Sequence, residues 1–289
     1  MMWALAGAGV IVLFVAVYAL LVEPFKVGLT KVEIPIPGLP KELDGLTICH
    51  LSDTHTSRYG KLEDKIYDML LQLRADICVI TGDLFDSMAG IQALDQVLEG
   101  IDPPLGVYAV LGNGDHSTSL LTPGEIIRRL SETRINLLVN SHQTVNVRNH
   151  NLRIIGVDDP FKGMDHFGRA TAGLSKNGFR LLLAHSPDIL SEVDGGHVDL
   201  VLAGHTHGGQ VKLPILGAIW LHSNRKIPVC NGYFDSKRLS KLLKRDMAGI
   251  RMYVSRGLGA SGITARFACP PEIALITLRT KFEPGPNVV

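Results

Sequence analysis

The chain has 289 residues, 46% of them apolar, with 29 Lys and Arg against 28 Asp and Glu and a formal net charge of +1 at pH 7. That is enough apolar material for one sizeable core or two packed sheets, and no internal repeat or low-complexity stretch points to a fibrous or disordered chain. Near-balanced charge excludes reliance on a broad basic surface, so no nucleic-acid partner is expected.

From Trp3 to Val22 there is no charged residue. About 20 apolar residues cross a ~30 Å hydrocarbon layer as a helix, so residues 1–23 read as an uncleaved transmembrane anchor. The run lacks the basic leading segment and small-residue cleavage site of a signal peptide. Lys26, Lys31 and Lys41 follow it and none precedes it, which by the positive-inside tendency puts the remainder on the cytoplasmic side of the membrane. Residues 24–44 carry Pro24, Pro35, Pro37, Gly38 and Pro40 around the alternating Val32–Ile36. That composition reads as a linker with an edge strand, since proline cannot donate to an interior ladder.

Residues 45–280 read as one α/β domain, followed by a tail at 281–289. Apolar strands are expected at Leu46–Leu51, Asp76–Ile80, Val107–Leu111, Arg180–Ala184 and Val198–Ala203. Each runs into a polar turn: Ser52-Asp53-Thr54-His55, Thr81-Gly82-Asp83, Gly112-Asn113-Gly114-Asp115-His116, His185-Ser186-Pro187, and Gly204-His205-Thr206-His207-Gly208-Gly209-Gln210. Turns at the carboxyl ends of strands are where α/β folds collect active-site groups. Helices are expected at Lys61–Leu73, Ile91–Leu98, Pro123–Glu132 and Pro187–Val193; in the first, Leu62, Ile66, Met69, Leu70 and Leu73 form a core-facing stripe. Further strands are expected at Gln143–Arg148, Asn151–Val157, Arg251–Ser255 and Glu272–Leu278. Alternating units followed by hairpins predict two packed mixed sheets with helices outside. The apolar Leu213–Leu221 and the basic amphipathic Ser236–Met247 together have the pattern of a surface resting on anionic lipid.

Two histidines one residue apart point oppositely on extended backbone, so His205 and His207 enter one pocket only through a sharp turn, which the flanking glycines permit. The pair reads as part of a metal site. The ordered series D-x-H, GD, GN, H, GHTH resembles the calcineurin-like metallophosphoesterases. GHTHGGQ followed by Leu213-Pro214, with Val254–Gly262 and Cys269–Ile276, is similar to their bacterial membrane-associated branch. The similarity runs from Leu46 to Arg279 and implies the four-layer α-β-β-α sandwich of that family.

The resemblance also implies the ligands: Asp53, His55, Asp83 and His207 for one ion, Asp83, Asn113, His185 and His205 for the other, with Asp83 bridging. Independently, a two-metal site needs an anion able to bridge cations ~3.5–4 Å apart. Mixed imidazole and oxygen ligation suits Mn, Fe, Zn or Co better than a thiolate-seeking metal. The four cysteines, Cys49, Cys78, Cys230 and Cys269, are widely spaced and read as core thiols.

One departure concerns catalysis. Most members place a histidine directly after the asparagine ligand; here Gly114 stands there and His116 comes two residues later. Either His116 reaches back as a general acid, or the metals act alone. Asp86 and Asp115 are candidates for carboxylates behind the ligands, with an N-cap as the plainer role for Asp86. His50 reads as a core histidine, and His142, His150, His166, His197 and His222 lack ligand spacing, although His222 follows the motif loop and is the one placed to touch substrate.

The expected function is a membrane-anchored dinuclear-metal phosphohydrolase that cleaves phosphodiester or pyrophosphate bonds with a metal-held hydroxide, on a phosphoester that can be lipid-linked. Asp83 and His116 are its catalytic candidates. Anchored relatives in this branch give a sharper alternative, a UDP-2,3-diacylglucosamine pyrophosphatase of lipid A synthesis. A second alternative is a non-catalytic scaffold recruiting a partner to the membrane.

Overall fold

Strands covered on both faces read as unbroken apolar runs, and their residues must still alternate between two cores. The computed structural model describes residues 2–117, 122–175, 177–193, 196–213, 217–218, 223–225 and 227–280, without the side chains of residues 2–6, 8 and 123. Its strands are β1 (Gly28–Pro35), β2 (Thr47–Leu51), β3 (Ile77–Thr81), β4 (Val107–Val110), β5 (Ile135–Leu137), β6 (Ser141–Val147), β7 (His150–Gly156), β8 (Phe179–Leu183), β9 (Leu200–Ala203), β10 (Lys212–Leu213), β11 (Gly217–Ala218), β12 (Gly232–Phe234), β13 (Arg251–Val254) and β14 (Glu272–Arg279). Two six-stranded mixed sheets result, ordered β1-β14-β2-β3-β4-β5 and β12-β13-β9-β8-β7-β6, beside the small β10-β11 ribbon.

The two sheets face each other across one core built from Ile48, Val79 and Val110 on one side and Ile154, Leu181, Leu183 and Leu202 on the other. Their sequence neighbours Cys49, Ile80 and Ala109 point the opposite way. Val201 and Ala203 do likewise on the second sheet. Fully burying such a side chain contributes about 1.5–3 kcal/mol, so a slip of one residue in any central strand would exchange the contents of two cores. The expected prolines do mark an edge: β1 pairs only with β14, in parallel register, and Pro35 is its last residue.

The helices are α1 (Met2–Leu21), α2 (Lys61–Leu71), α3 (Met88–Leu98), α4 (Pro123–Leu130), α5 (Phe167–Ala170) and α6 (Ser236–Leu243). Ile66 and Leu70 of α2 and Leu94 and Leu98 of α3 pack on the outer face of the first sheet. Ala170 and Leu239 cover the second. Helix α3 starts three residues before the expected Ile91 because the Ser87 side chain caps it, accepting from Gly90 N.

Several expected elements end early, α2 at Leu71 rather than Leu73 and α4 at Leu130 rather than Glu132 among them. Pro187–Ser191 is a 3-10 turn rather than a helix to Val193, tightened by the Ser186 side chain. Helix α6 stops at Leu243, not Met247, because Lys244 takes a left-handed conformation with φ +54°. Of the apolar Leu213–Leu221, only Leu213, Gly217 and Ala218 are described, and His222 and the tail 281–289 lie outside the described residues.

Among the described residues, no helix is long and apolar enough to cross a membrane. The backbone of α1 is helical over 20 residues, but the side chains at 2–6 and 8, which belong to the expected span, are outside that description. All four cysteines are free, with Cys49, Cys78 and Cys269 buried.

Candidate metal centre

The carboxyl ends of β2, β3 and β4 in one sheet and of β8 and β9 in the other meet at a single seam. Main-chain bonds stitch the turns together: Asp53 N donates to Gly82 O at 3.0 Å, His55 N to Asp83 O at 2.9 Å, and Gly204 N to His185 O at 2.8 Å. Across the seam, His205 N donates to both Asp53 carboxylate oxygens at 3.0 and 3.1 Å. Close approach explains the glycines. A β-carbon at Gly82, which sits at φ +80°, would lie 2.5 Å from His185 Nδ1, and one at Gly204 would collide with Ser52 and Asp53.

The turns are conformationally costly. Asp53, His55, Asp83, His205 and His207 all have positive φ, between +46° and +68°. Left-handed backbone is unfavourable for residues with a β-carbon and persists where surrounding structure over-determines it, typically at functional sites. Here it turns side chains from opposite faces of a strand end into one pocket.

All seven expected ligands come together. Ligand atoms of Asp53, His55, Asp83 and His207 lie within 4.8 Å of one another. His55 Nε2 is 3.3 Å from Asp83 Oδ2, and His207 Nε2 is 3.5 Å from Asp53 Oδ1. On the other side, His185 Nε2 lies 3.1 Å from Asn113 Oδ1, 3.5 Å from Asp83 Oδ1 and 3.0 Å from His205 Nδ1. Asp83 therefore borders both sets.

Hydrogen bonds behind the rings assign the tautomers. His185 Nδ1 donates to Thr81 O at 2.9 Å, leaving a lone pair on the Nε2 that faces Asn113 Oδ1. Asp86 accepts from His55 Nδ1 at 2.9 Å, so it is the Nε2 turned toward Asp83 that offers a lone pair once a cation displaces the ring's second proton. Bonds of this kind commonly orient imidazole ligands. The residues fit a divalent cation on two further counts: buried His55 Nε2, the ring nitrogen turned toward Asp83, makes no hydrogen bond, and two carboxylates share one buried site. Burial pushes the Asp53 carboxyl up and His207 well down. Burial also opposes the charge on His55, yet the carboxylates of Asp86, Asp83 and Asp53 outweigh it and raise this ring to about 9.

An open cleft of about 470 Å³ reaches the site, lined by His55, Asp83, Asn113, Gly114, Ser117 and the loop Ala260–Gly262, among others. His116 is not among its lining residues. Its Nε2 is held 2.6 Å from Asp158 Oδ1, bracing the β4 turn against the loop after β7. The expectation that it reaches back toward the ligands is not what the geometry shows; a turn that directs Gly114 N to Asp83 Oδ1 at 2.6 Å leaves the His116 ring on the Asp158 side. Asp115 does stand behind the site, accepting from Leu84 N and Gly112 N at 2.8 Å, with its carboxyl raised to about 7 by burial and by Asp83. His50 is fully buried, bonded to Thr81 Oγ1 at 2.9 Å.

Residues 46–209 match the calcineurin-like phosphoesterase family model. The chain belongs to that family. As a calcineurin-like phosphoesterase it is a metal-dependent phosphoesterase, and the Asp53, His55, Asp83 and His207 cluster is a place where such a metal can be held. It is similar to an uncharacterized metallophosphoesterase of Bacillus subtilis (strain 168), YkuE, 29% identical over 276 residues that cover 91% of this chain and 89% of that one. The phosphodiesterase YaeI of Escherichia coli (strain K12) is 26% identical, covering 80% of this chain and 81% of its own. A Danio rerio transmembrane protein with metallophosphoesterase domain is 32% identical, covering 93% of this chain and 61% of its own length.

Several contributors to this phosphoesterase site lacked an obvious sequence signal. The Phe161 ring lies 4.4 Å from that of His205. Arg266, fully buried, donates to the carbonyls of Gly259, Cys269 and Arg256, and so holds a strap of chain over the His207 turn. Asp158-Asp159 is the exception: an acidic pair just after β7 obeys the strand-end rule that found the metal-ligand candidates.

Proposed function

We propose that the chain is a membrane-tethered, dinuclear-metal phosphohydrolase acting on phosphodiester or pyrophosphate bonds, with Asp53, His55, Asp83 and His207 holding one ion and Asp83, Asn113, His185 and His205 the other. The observation that carries this reading is the convergence of seven buried or half-buried side chains from both sheets on the Asp83 carboxylate. Two divalent cations, when bound, supply Lewis acidity toward phosphoryl oxygens and a water of pKa near neutrality. Mn, Fe, Zn or Co suits the imidazole and oxygen donors.

The protein's own part is positioning. Thr81 O and Asp86 fix the His185 and His55 rings, Gly114 N–H holds Asp83, and the His116–Asp158 pair braces the turn that presents Asn113. Gly114 contributes no side chain, so stabilisation of the leaving oxygen falls to the ions rather than to a neighbouring imidazole. A site of this kind favours good leaving groups.

The uncharged run Trp3–Val22, helical in backbone and with Val10 to Phe14 exposed, supports a single-pass tether, and the lysines that follow support a cytoplasmic catalytic domain. The phosphodiesterase YaeI supports a diester, and an anchor beside an open cleft supports a lipid-linked one.

The test is purified full chain in detergent, stripped and reloaded with each metal, assayed on bis-p-nitrophenyl phosphate, p-nitrophenyl phosphate, phospholipids and UDP-2,3-diacylglucosamine. Diester turnover that Asp83→Ala abolishes together with metal content is the expected result. A loaded protein that hydrolyses none of these would favour a scaffold.

A further inference from the structure

A carboxylate that is 2% exposed must find partners inside the protein. Glu23, in a 3-10 turn between α1 and β1, finds two in a distant segment: Cys269 N donates to Oε1 at 2.6 Å and Ala268 N to Oε2 at 3.1 Å. Successive N–H groups aimed at one anion form a backbone nest, which requires a left-handed residue. Ala268 supplies it at φ +51°. A residue with a β-carbon stays there only when surrounding structure holds it, and Glu23 is the anion that the N–H groups of Ala268 and Cys269 meet.

The other side of this loop touches the metal-ligand turn. Cys269 Sγ donates to His207 O at 3.3 Å and to Gly208 O at 3.5 Å. Phe267 N donates to Gln210 O at 3.1 Å and Lys212 N to Phe267 O at 2.9 Å. His207, Gly208 and Gln210 are themselves left-handed, at φ +48°, +61° and +49°. One strained turn leans on another, and Glu23 stands behind both.

We propose that Glu23 is a positioning residue for His207, which makes the N-terminal segment a component of the metal centre as well as a leader into the domain. This rests on the assignment of Asp53, His55, Asp83 and His207 as metal ligands. The rival role is a plain tether between the N-terminal turn and the domain, and the two differ in what they do to metal affinity.

The experiment uses the full chain as wild type, Glu23→Gln, Glu23→Ala, and Glu23→Ala combined with Ala268→Gly. Glutamine keeps the shape and one acceptor but turns an amide toward the second N–H; glycine adopts the left-handed backbone without needing the anion. Mn2+ and Zn2+ are titrated into metal-free protein, and kcat and KM for bis-p-nitrophenyl phosphate are measured at saturating metal. Glu23→Ala should weaken metal binding about 10–100-fold, the range for partners behind a ligand. Glu23→Gln should fall between it and wild type, and Ala268→Gly should restore part of the loss. Losses in activity should appear in kcat more than in KM.

Unchanged metal affinity and kcat, with only a lowered melting temperature, would overturn the proposal in favour of the tether. Should Glu23→Ala fail to fold, Glu23→Gln decides the matter by the same two readouts. Wild type that binds neither ion would overturn the ligand assignment itself, and this proposal with it.

Discussion

At the residue scale, the centre is a set of ionisable groups kept in states that water would not favour. His50 shows how this affects stability, because it sits beneath the site with its Nδ1 unpartnered and burial pushes it down to about 3. The unfolded chain takes up a proton near the ordinary value of 6.5, whereas the folded chain resists until about 3. Stability therefore rises with pH across this window, is complete above 6.5 and is lost progressively as pH falls toward 3. The full penalty is about 4–5 kcal/mol at one unit per 1.36 kcal/mol. Denaturant midpoints of metal-free protein measured from pH 4 to 8 should show it, and His50→Leu should flatten that slope.

At the scale of elements, short polar side chains decide where helices begin beside the cleft. Ser87 caps α3 through Gly90 N at 3.1 Å, and Ser87 and Met88 also line the cleft. Ser87→Ala should cost about 1 kcal/mol, read as a shift in urea midpoint at unchanged slope. Caps of this kind also show why the fold was largely legible. Each central strand is an apolar run ending in a polar turn, and β2, β3, β4, β8 and β9 were found within a residue or two at each end. What escaped was set by contacts distant in sequence. Strand β5, at three residues, has no pattern long enough to recognise, and it exists because β4 offers an edge. Metal-ligand candidates were readable because glycine and histidine at a strand end carry a chemical meaning. His116 was not readable in the same way, since its partner Asp158 comes from another sheet and no local pattern announces the pairing. Glu23, before the first strand, was invisible for the same reason.

At the scale of the whole molecule, the two sheets share one buried core and one seam, so holding the seam together holds the domain together. An ion bound only by the folded chain stabilises it by about 2.7 kcal/mol at a hundredfold excess over its dissociation constant. For a chain of this size that is about 5–10 °C in melting temperature. Calorimetry before and after chelation, with Asp83→Ala as the control that should not respond, checks the expectation. The order of the chain adds a consequence. Asp53, His55, Asp83 and Asn113 leave the ribosome early, while His185, His205 and His207 come from the later half. On the proposed ligand assignment neither ion position is complete until translation has passed the GHTH turn, and the strap at 266–269 that backs it is later still. On that assignment cation capture waits until both halves of the domain have been made and have joined, so an ion held there reports that the two sheets have met along their shared seam.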